Sequence, residues 1–316
     1  MAMANEIDRR SFLTIGAGAT LASAATSPAQ AAPAKRYQDK TSPWPLCLNS
    51  STIRPTPFED KIKIAVETGY DAIEPWINEL EDYEKAGGDL EDLGKKIADL
   101  GLFIPNIIGL WNAMPPTEEL FEKSLEATRE RMRRSAAVGS QHVACIPGPD
   151  RPDFDLAWGA ELYRRLLDIG REDYGITVAF EFVGFLKGVN TLGEACAIAF
   201  NANDRDACLI SDTFHLFRGG SGFNAIRHLD GDFIADFHWN DVLDDPPREK
   251  QRDEHRIYPG DGILPLEQLL RDLAEIGYQG PLSLEMFNRE HWKQDPKVVA
   301  ETGLRKMREQ VARALA

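Results

Sequence analysis

Basic residues are too few to balance the acidic ones: 36 Lys and Arg against 51 Asp and Glu leave a formal charge of −15. A nucleic-acid binder presents a basic face to phosphates, and the one dense basic segment here, Arg129 to Arg134, reads as the solvated face of a helix. Nucleic acid is therefore not an expected partner. Cysteine is also sparse. Cys47, Cys145, Cys196 and Cys208 show no CxxC spacing, which argues against a structural zinc ribbon and a disulfide framework. Three of them lie in apolar runs and are expected to be buried free thiols. The glycine-rich Gly219-Gly220-Ser221-Gly222 lacks a P-loop lysine and a strand-to-helix GxGxxG frame, so it reads as a flexible loop rather than a phosphate cradle.

The amino-terminal segment has the layout of a twin-arginine export signal. Arg9-Arg10-Ser11-Phe12-Leu13 precedes a small apolar stretch, Thr14 to Ala25, and then Ala29-Gln30-Ala31 as a cleavage site. The apolar stretch is too short and too rich in Gly and Ala to span a bilayer stably. The expectation is a signal over 1–31, a lead-in over 32–45, one catalytic domain over 46–316, and export to the periplasm by the twin-arginine route. An uncleaved, membrane-anchored form is the alternative. That route moves folded proteins, so a metal can be loaded before export.

The rest of the chain alternates apolar strand-like runs with amphipathic helical stretches, the pattern of βα units and a parallel sheet. Eight strands are predicted, over 46–49, 72–76, 103–110, 142–146, 178–183, 209–213, 234–239 and 282–287. Helices with 3.6-residue periodicity lie between them, including 121–137 and 264–276. Thr56-Pro57-Phe58-Glu59 offers an N-cap and a capping-box glutamate. Gly69, Gly101, Gly139, Gly175 and Gly277 stand where helix C-termini prefer glycine. Eight such units in one domain most simply close into a single (β/α)₈ TIM barrel, whose active site lies at the C-terminal strand ends. The irregular stretch from Leu243 to Gly262 is then a substrate-side loop.

Four consecutive strands each end in a metal-type ligand: Glu181, Asp212, His238 and Glu285. Charge at the tip of a buried strand persists only when paired or bound to a cation. Four such tips point to one metal centre. Oxygen-rich ligation with one imidazole suits a single divalent cation, Mn²⁺ first, with Mg²⁺ or Co²⁺ as alternatives. Around it, His215, Trp111, Trp239, Arg248 and Arg256 are candidate substrate contacts, with Trp76, Trp292 and Asp253 in similar positions. Glu74 and Asn106 read as partners in a hydrogen-bonded barrel layer.

The segments Phe180-Glu181-Phe182, Ser211-Asp212-Thr213-Phe214-His215, Phe237-His238-Trp239-Asn240-Asp241, Tyr258-Pro259-Gly260-Asp261-Gly262 and Gly280-Pro281-Leu282-Ser283-Leu284-Glu285 resemble the sugar phosphate isomerase/epimerase family of xylose-isomerase-like TIM barrels. Its members include ketose 3-epimerases, hydroxypyruvate isomerases, inosose dehydratases and, more remotely, endonuclease IV. The resemblance implies one divalent ion held by Glu181, Asp212, His238 and Glu285. It also implies that Glu181 and Glu285 act as acid and base, with His215 on a substrate oxygen. The ketose epimerases carry a further glutamate six residues after the first ligand, where this chain has Lys187, making Lys187 a candidate for substrate recognition.

The expected reaction is proton abstraction next to a carbonyl of a small carbohydrate, through an enediolate. Return of the proton gives epimerisation or isomerisation; loss of a β-oxygen gives a lyase acting on a keto-sugar, inosose or 3-keto-glycoside. A non-catalytic carbohydrate-binding barrel is the alternative from another class. A hydride-shift isomerase would need a second metal cluster, and a trinuclear nuclease more histidines than six. The number of subunits is left open, a homo-oligomer included.

Overall fold

Pleated strands whose two faces are both buried build this molecule from the inside out. Residues 37–316 are the ones described by the computed structural model, so the expected export signal and residues 32–36 of the lead-in lie outside them. In chain order the elements are β1 (Leu46–Asn49), α1 (Phe58–Thr68), β2 (Ala72–Glu74), α2 (Ile77–Lys85), α3 (Leu90–Asp99), β3 (Asn106–Leu110), α4 (Glu118–Ala137), β4 (His142–Cys145) and α5 (Leu156–Ile169). There follow β5 (Thr177–Glu181), α6 (Leu192–Ala202), β6 (Cys208–Asp212), α7 (Thr213–Gly219), β7 (Ile234–Trp239), α8 (Leu266–Glu275), β8 (Leu282–Leu284) and α9 (Pro296–Ala314).

The strands are parallel and run in the order β2-β1-β8-β7-β6-β5-β4-β3. Single bridges, Ala72 to Phe103 and Trp76 to Ile108, join β2 to β3. The result is one nearly closed (β/α)₈ barrel, as the alternation predicts. The β2–β3 seam is thin because Pro105, with no N–H to give, interrupts the predicted strand over 103–110, and the ladder starts only at Asn106.

Alternation along each strand sorts the residues. Leu46, Leu48, Val178, Phe180, Phe237, Trp239, Leu282 and Leu284 join the main apolar core. Ile108, Ala144, Ala179 and Ile210 form a smaller cluster of their own. The five predicted glycines all take positive φ after helices. All four cysteines are free, with Cys47, Cys145 and Cys208 buried. The predicted capping box at Thr56 is absent. Pro57 keeps an extended ψ of 145°, so α1 starts at Phe58 without a side-chain cap.

The loop over 243–262 contains two single-turn segments, Arg248–Lys250 and Asp253–His255. Its end is tied down by Asp241. One carboxylate oxygen accepts the N–H groups of Gly260 and Gly262 at 3.0 Å each, and the other those of Val242 and Leu264 at 2.8 and 3.0 Å. This wrap explains the Gly-Asp-Gly sequence: Gly260 has φ +86°, and a Cβ on Gly262 would lie 2.3 Å from Asp241 Oδ1.

Candidate metal centre and substrate pocket

The ends of β5 to β8 deliver four ligand-type side chains to one point. Asp212 and His238 are register partners across β6 and β7; Glu181 closes β5 and Glu285 follows β8. Each of the four offers a ligand atom, and these atoms all lie within 4.8 Å of one another. None is more than 3% exposed. His238 Nδ1 stands 3.1 Å from Glu181 Oε1, 3.2 Å from Glu285 Oε2 and 3.6 Å from Asp212 Oδ2.

The other ring nitrogen fixes that orientation. His238 Nε2 is 3.0 Å from Glu74 Oε1, which also accepts from Asn106 Nδ2 at 2.8 Å; Glu74 Oε2 accepts from Asn49 Nδ2 at 2.7 Å and Ser283 Oγ at 2.5 Å. Burial opposes ionisation of Glu74, but His238 and these donors outweigh it and hold the carboxyl below its usual range. The proton therefore belongs on Nε2, leaving Nδ1 as a lone pair aimed at the carboxylates. Glu74 and Asn106 are barrel-layer partners, as predicted, with the added task of setting the imidazole.

Asp212 divides its two oxygens. Oδ1 caps α7 through the N–H groups of Phe214 and His215 at 2.6 and 3.2 Å and accepts Asn240 Nδ2 at 3.3 Å. Oδ2 faces the cluster, 2.6 Å from Arg256 Nη1. That guanidinium, 1% exposed, also reaches Glu285 Oε2 at 2.7 Å, Asp253 at 2.7 Å and His215 Nε2 at 3.3 Å.

The electrostatics call for a cation. With every carboxyl ionised, the negative charges of Glu181, Asp212 and Glu285 face one arginine, Arg256, which Asp253 shares, so the cluster carries an excess of negative charge that a divalent cation would offset. Without it, protons compensate. Burial, assisted by Glu285 and Asp212, pushes Glu181 up to about 7. Burial works against a charged His238, yet Glu285, Glu74 and Glu181 outweigh it and raise the imidazole well above its ordinary value. His238 Nδ1 is buried with no hydrogen-bond partner. A buried imidazole nitrogen facing three carboxylates, with none of them in well-aligned hydrogen-bond geometry, has the chemistry of a divalent metal site, and these residues fit one.

Above the cluster opens a cavity of about 230 Å³, lined by Glu181, Glu285, His215, Asp253 and Arg256 on one side and by Trp76, Trp111, Phe185 and Phe287 among its apolar walls. Trp76 lies 5.3 Å from Trp111 and 5.6 Å from Phe287, ring centre to ring centre. Sites for drug-sized ligands run to roughly 300–1,000 Å³, so this one takes a small molecule with an apolar face.

His215, Trp111 and Arg256 thus stand where the sequence places them, at the pocket. Three other candidates do not. Trp239 is fully buried and packs edge-on against Phe237, 5.8 Å away; one residue beyond His238, it points to the opposite face of β7, into the helix layer. Lys187 is exposed and does not line the cavity; its backbone N–H binds Asp150 Oδ1, and Phe185 and Leu186 supply that wall instead. Arg248 pairs with its neighbour Glu249 on the outer surface and packs over Gly220. Trp292 lines an adjoining cavity. Phe185 and Phe287 were not singled out in the sequence; both follow a ligand glutamate within four residues, which is the signal that marks them.

The chain belongs to the xylose isomerase-like TIM barrel family, whose model matches residues 62–310. Within it the chain is similar to the inosose isomerases of Bacillus velezensis and Bacillus licheniformis. The first is 30% identical, over 78% of this chain and 90% of that protein. The second is 32% identical, over 54% of this chain and 62% of that protein. The 3-dehydroshikimate dehydratase of Pseudomonas aeruginosa is 26% identical over 78% of this chain and 39% of its own length. Among solved structures, the IOLI protein with a bound zinc atom superposes with a TM-score of 0.78 and 25% identity, covering 86% of this chain and 99% of that one.

Proposed function

We propose that the protein is a divalent-metal-dependent enzyme that moves a proton next to the carbonyl of a small carbohydrate-like ketone, as an isomerase or epimerase. The observation that carries this reading is the convergence of the buried His238 Nδ1 and the carboxylates of Glu181, Asp212 and Glu285, ligand atoms that all lie within 4.8 Å of one another. The resident ion by donor chemistry is Mn²⁺, with zinc, named for the IOLI structure, as competitor; elemental analysis of purified protein decides. When bound, the cation polarises the substrate carbonyl and lowers the cost of the enediolate charge.

Glu181, at the end of β5 and on the cavity wall, is placed to take and return a proton of the substrate. Glu285, across the cluster, is the second acid–base group, with Arg256 holding its carboxylate in place. His215 is kept neutral because burial pushes it down to about 4. Its unpartnered Nδ1 is available to a substrate hydroxyl, while the aromatic walls exclude water.

The dehydratase relatives support a second reading, in which the same abstraction is followed by loss of a β-oxygen. Incubation in D₂O with ketoses, inososes and 3-dehydroshikimate separates the two: deuterium at carbon without loss of water means isomerase or epimerase, and release of water means lyase. Glu285→Gln loses exchange by about 10²-fold or more while retaining its fold; retained exchange removes Glu285 from the mechanism. For residues 1–31 we propose twin-arginine export, tested by whether replacing Arg9 and Arg10 with lysine retains the protein in the cytoplasm.

A further inference from the structure

Beside the catalytic cavity lies a second one of about 390 Å³, and the two share Asp253 and Phe287. Three guanidiniums line it, those of Arg54, Arg252 and Arg289, with the carboxylates of Asp253 and Glu254. Both carboxylates are taken: Asp253 by Arg256 at 2.7 Å and Glu254 by Arg289 at 3.0 Å. Arg54 and Arg252 are left without an ion-pair partner among the described residues. Both are exposed, and each guanidinium lies over an aromatic ring. The Arg54 guanidinium stacks 4.8 Å from the ring centre of Trp76 and 5.9 Å from that of Phe287, and Arg252 lies 5.5 Å from that of Phe185. All three rings are walls of the catalytic cavity.

A chain of net charge −15 thus sets two uncompensated cations on the aromatic walls of its active site. Cation–π contact holds a guanidinium in place with its N–H edge free, and that planar fork matches the oxygens of a carboxylate or phosphate. A local positive spot in a negative field also draws anions to the mouth.

We propose that the substrate is an anionic ketone, whose carboxylate or phosphate monoester is clamped by Arg54 and Arg252 in the outer cavity while its carbonyl lies at the Glu181–Asp212–His238–Glu285 cluster. This rests on the proton-transfer reading and adds the charge class of the substrate. The apolar walls between the two cavities take the body of the molecule.

Metal-loaded wild type and Arg54→Gln/Arg252→Gln are compared by calorimetric titration at low and high salt. The probes are matched: D-fructose with D-fructose 6-phosphate, and the methyl ester of 3-dehydroshikimate with the carboxylate itself. One anionic probe is expected to bind at least about 10-fold more tightly than its neutral partner. The double variant loses that advantage to within about threefold, and added salt shrinks it. Which probe shows it tells phosphate from carboxylate. If no anionic probe outbinds its neutral partner, or if the advantage survives in the double variant, the clamp is wrong. Deuterium exchange on the same probes keeps the two readings apart: anion preference without exchange sinks the enzyme, and exchange without anion preference sinks the clamp.

Discussion

Replacing Glu74 by glutamine tests whether the barrel interior sets up the metal centre. All four partners of this carboxylate donate to it: His238 and Asn106 to one oxygen, Asn49 and Ser283 to the other. A glutamine must turn its NH₂ toward one of these pairs. Ser283 can rotate its hydroxyl to accept. Asn49 cannot flip without loss, because its Oδ1 already accepts Ser51 N–H at 2.9 Å and Trp76 Nε1 at 3.1 Å. The cheaper orientation therefore keeps the glutamine oxygen on His238 and Asn106 and leaves Asn49 opposed to another donor, costing about 1.5–3 kcal/mol for one lost bond to a charged acceptor. His238 keeps its geometry but loses the negative charge that makes it a strong ligand. Weakening such a partner costs about 10–100-fold in metal affinity, or roughly 1.4–2.7 kcal/mol. The assay is titration of chelator-stripped protein with Mn²⁺ against a competing indicator, with circular dichroism to check the fold. Loss of Glu74 also weakens the proton's hold on His238, so the titration is run at pH 7 and 8.5, since only proton competition changes between them. A folded variant within twofold of wild-type affinity at both values would refute the role given to Glu74.

Two further outcomes are expected, one at the cluster and one at the loop. The metal-free cluster is held together by protons: Glu181 and His238 both titrate above their ordinary values when folded, so the stability they contribute is present at low pH and lost as pH rises toward and past 7. The increase in melting temperature on adding Mn²⁺ should therefore grow between pH 6 and pH 8, and a gain independent of pH contradicts the assignment. Asp241→Asn turns an NH₂ toward two of the four loop N–H groups, donor against donor, a loss of roughly 3–5 kcal/mol in urea unfolding. A change under about 1 kcal/mol would show that the Gly260–Gly262 wrap does not depend on that charge.

Much of this protein is legible along the chain because strands and helices announce themselves locally. β1 and β7 have the bounds predicted for them. The four residues of the cluster stand out because a lone charge ending an apolar run has few uses that justify its desolvation. The same period-2 rule was available for Trp239, whose neighbour His238 points into the barrel; adjacency in sequence suggested a shared pocket, and the pleat assigns the two to opposite faces. For Lys187, Arg248 and Arg256 no local rule exists. They lie in loops after β5 and β7, and nothing in the composition of those loops tells an arginine that turns inward from one that stays in water.

The sequence by itself determined eight βα units and the four ligand-type residues at their strand ends, since these follow from short-range periodicity and the cost of burying charge. Only the tertiary structure decided which loop closes over the mouth, that Arg256 rather than Arg248 enters the carboxylate cluster, and that Glu74 sets His238 from across the barrel interior. Those contacts join residues separated by 44 and 164 positions in the chain, and only closure of the barrel brings such distant donors and acceptors within bonding range.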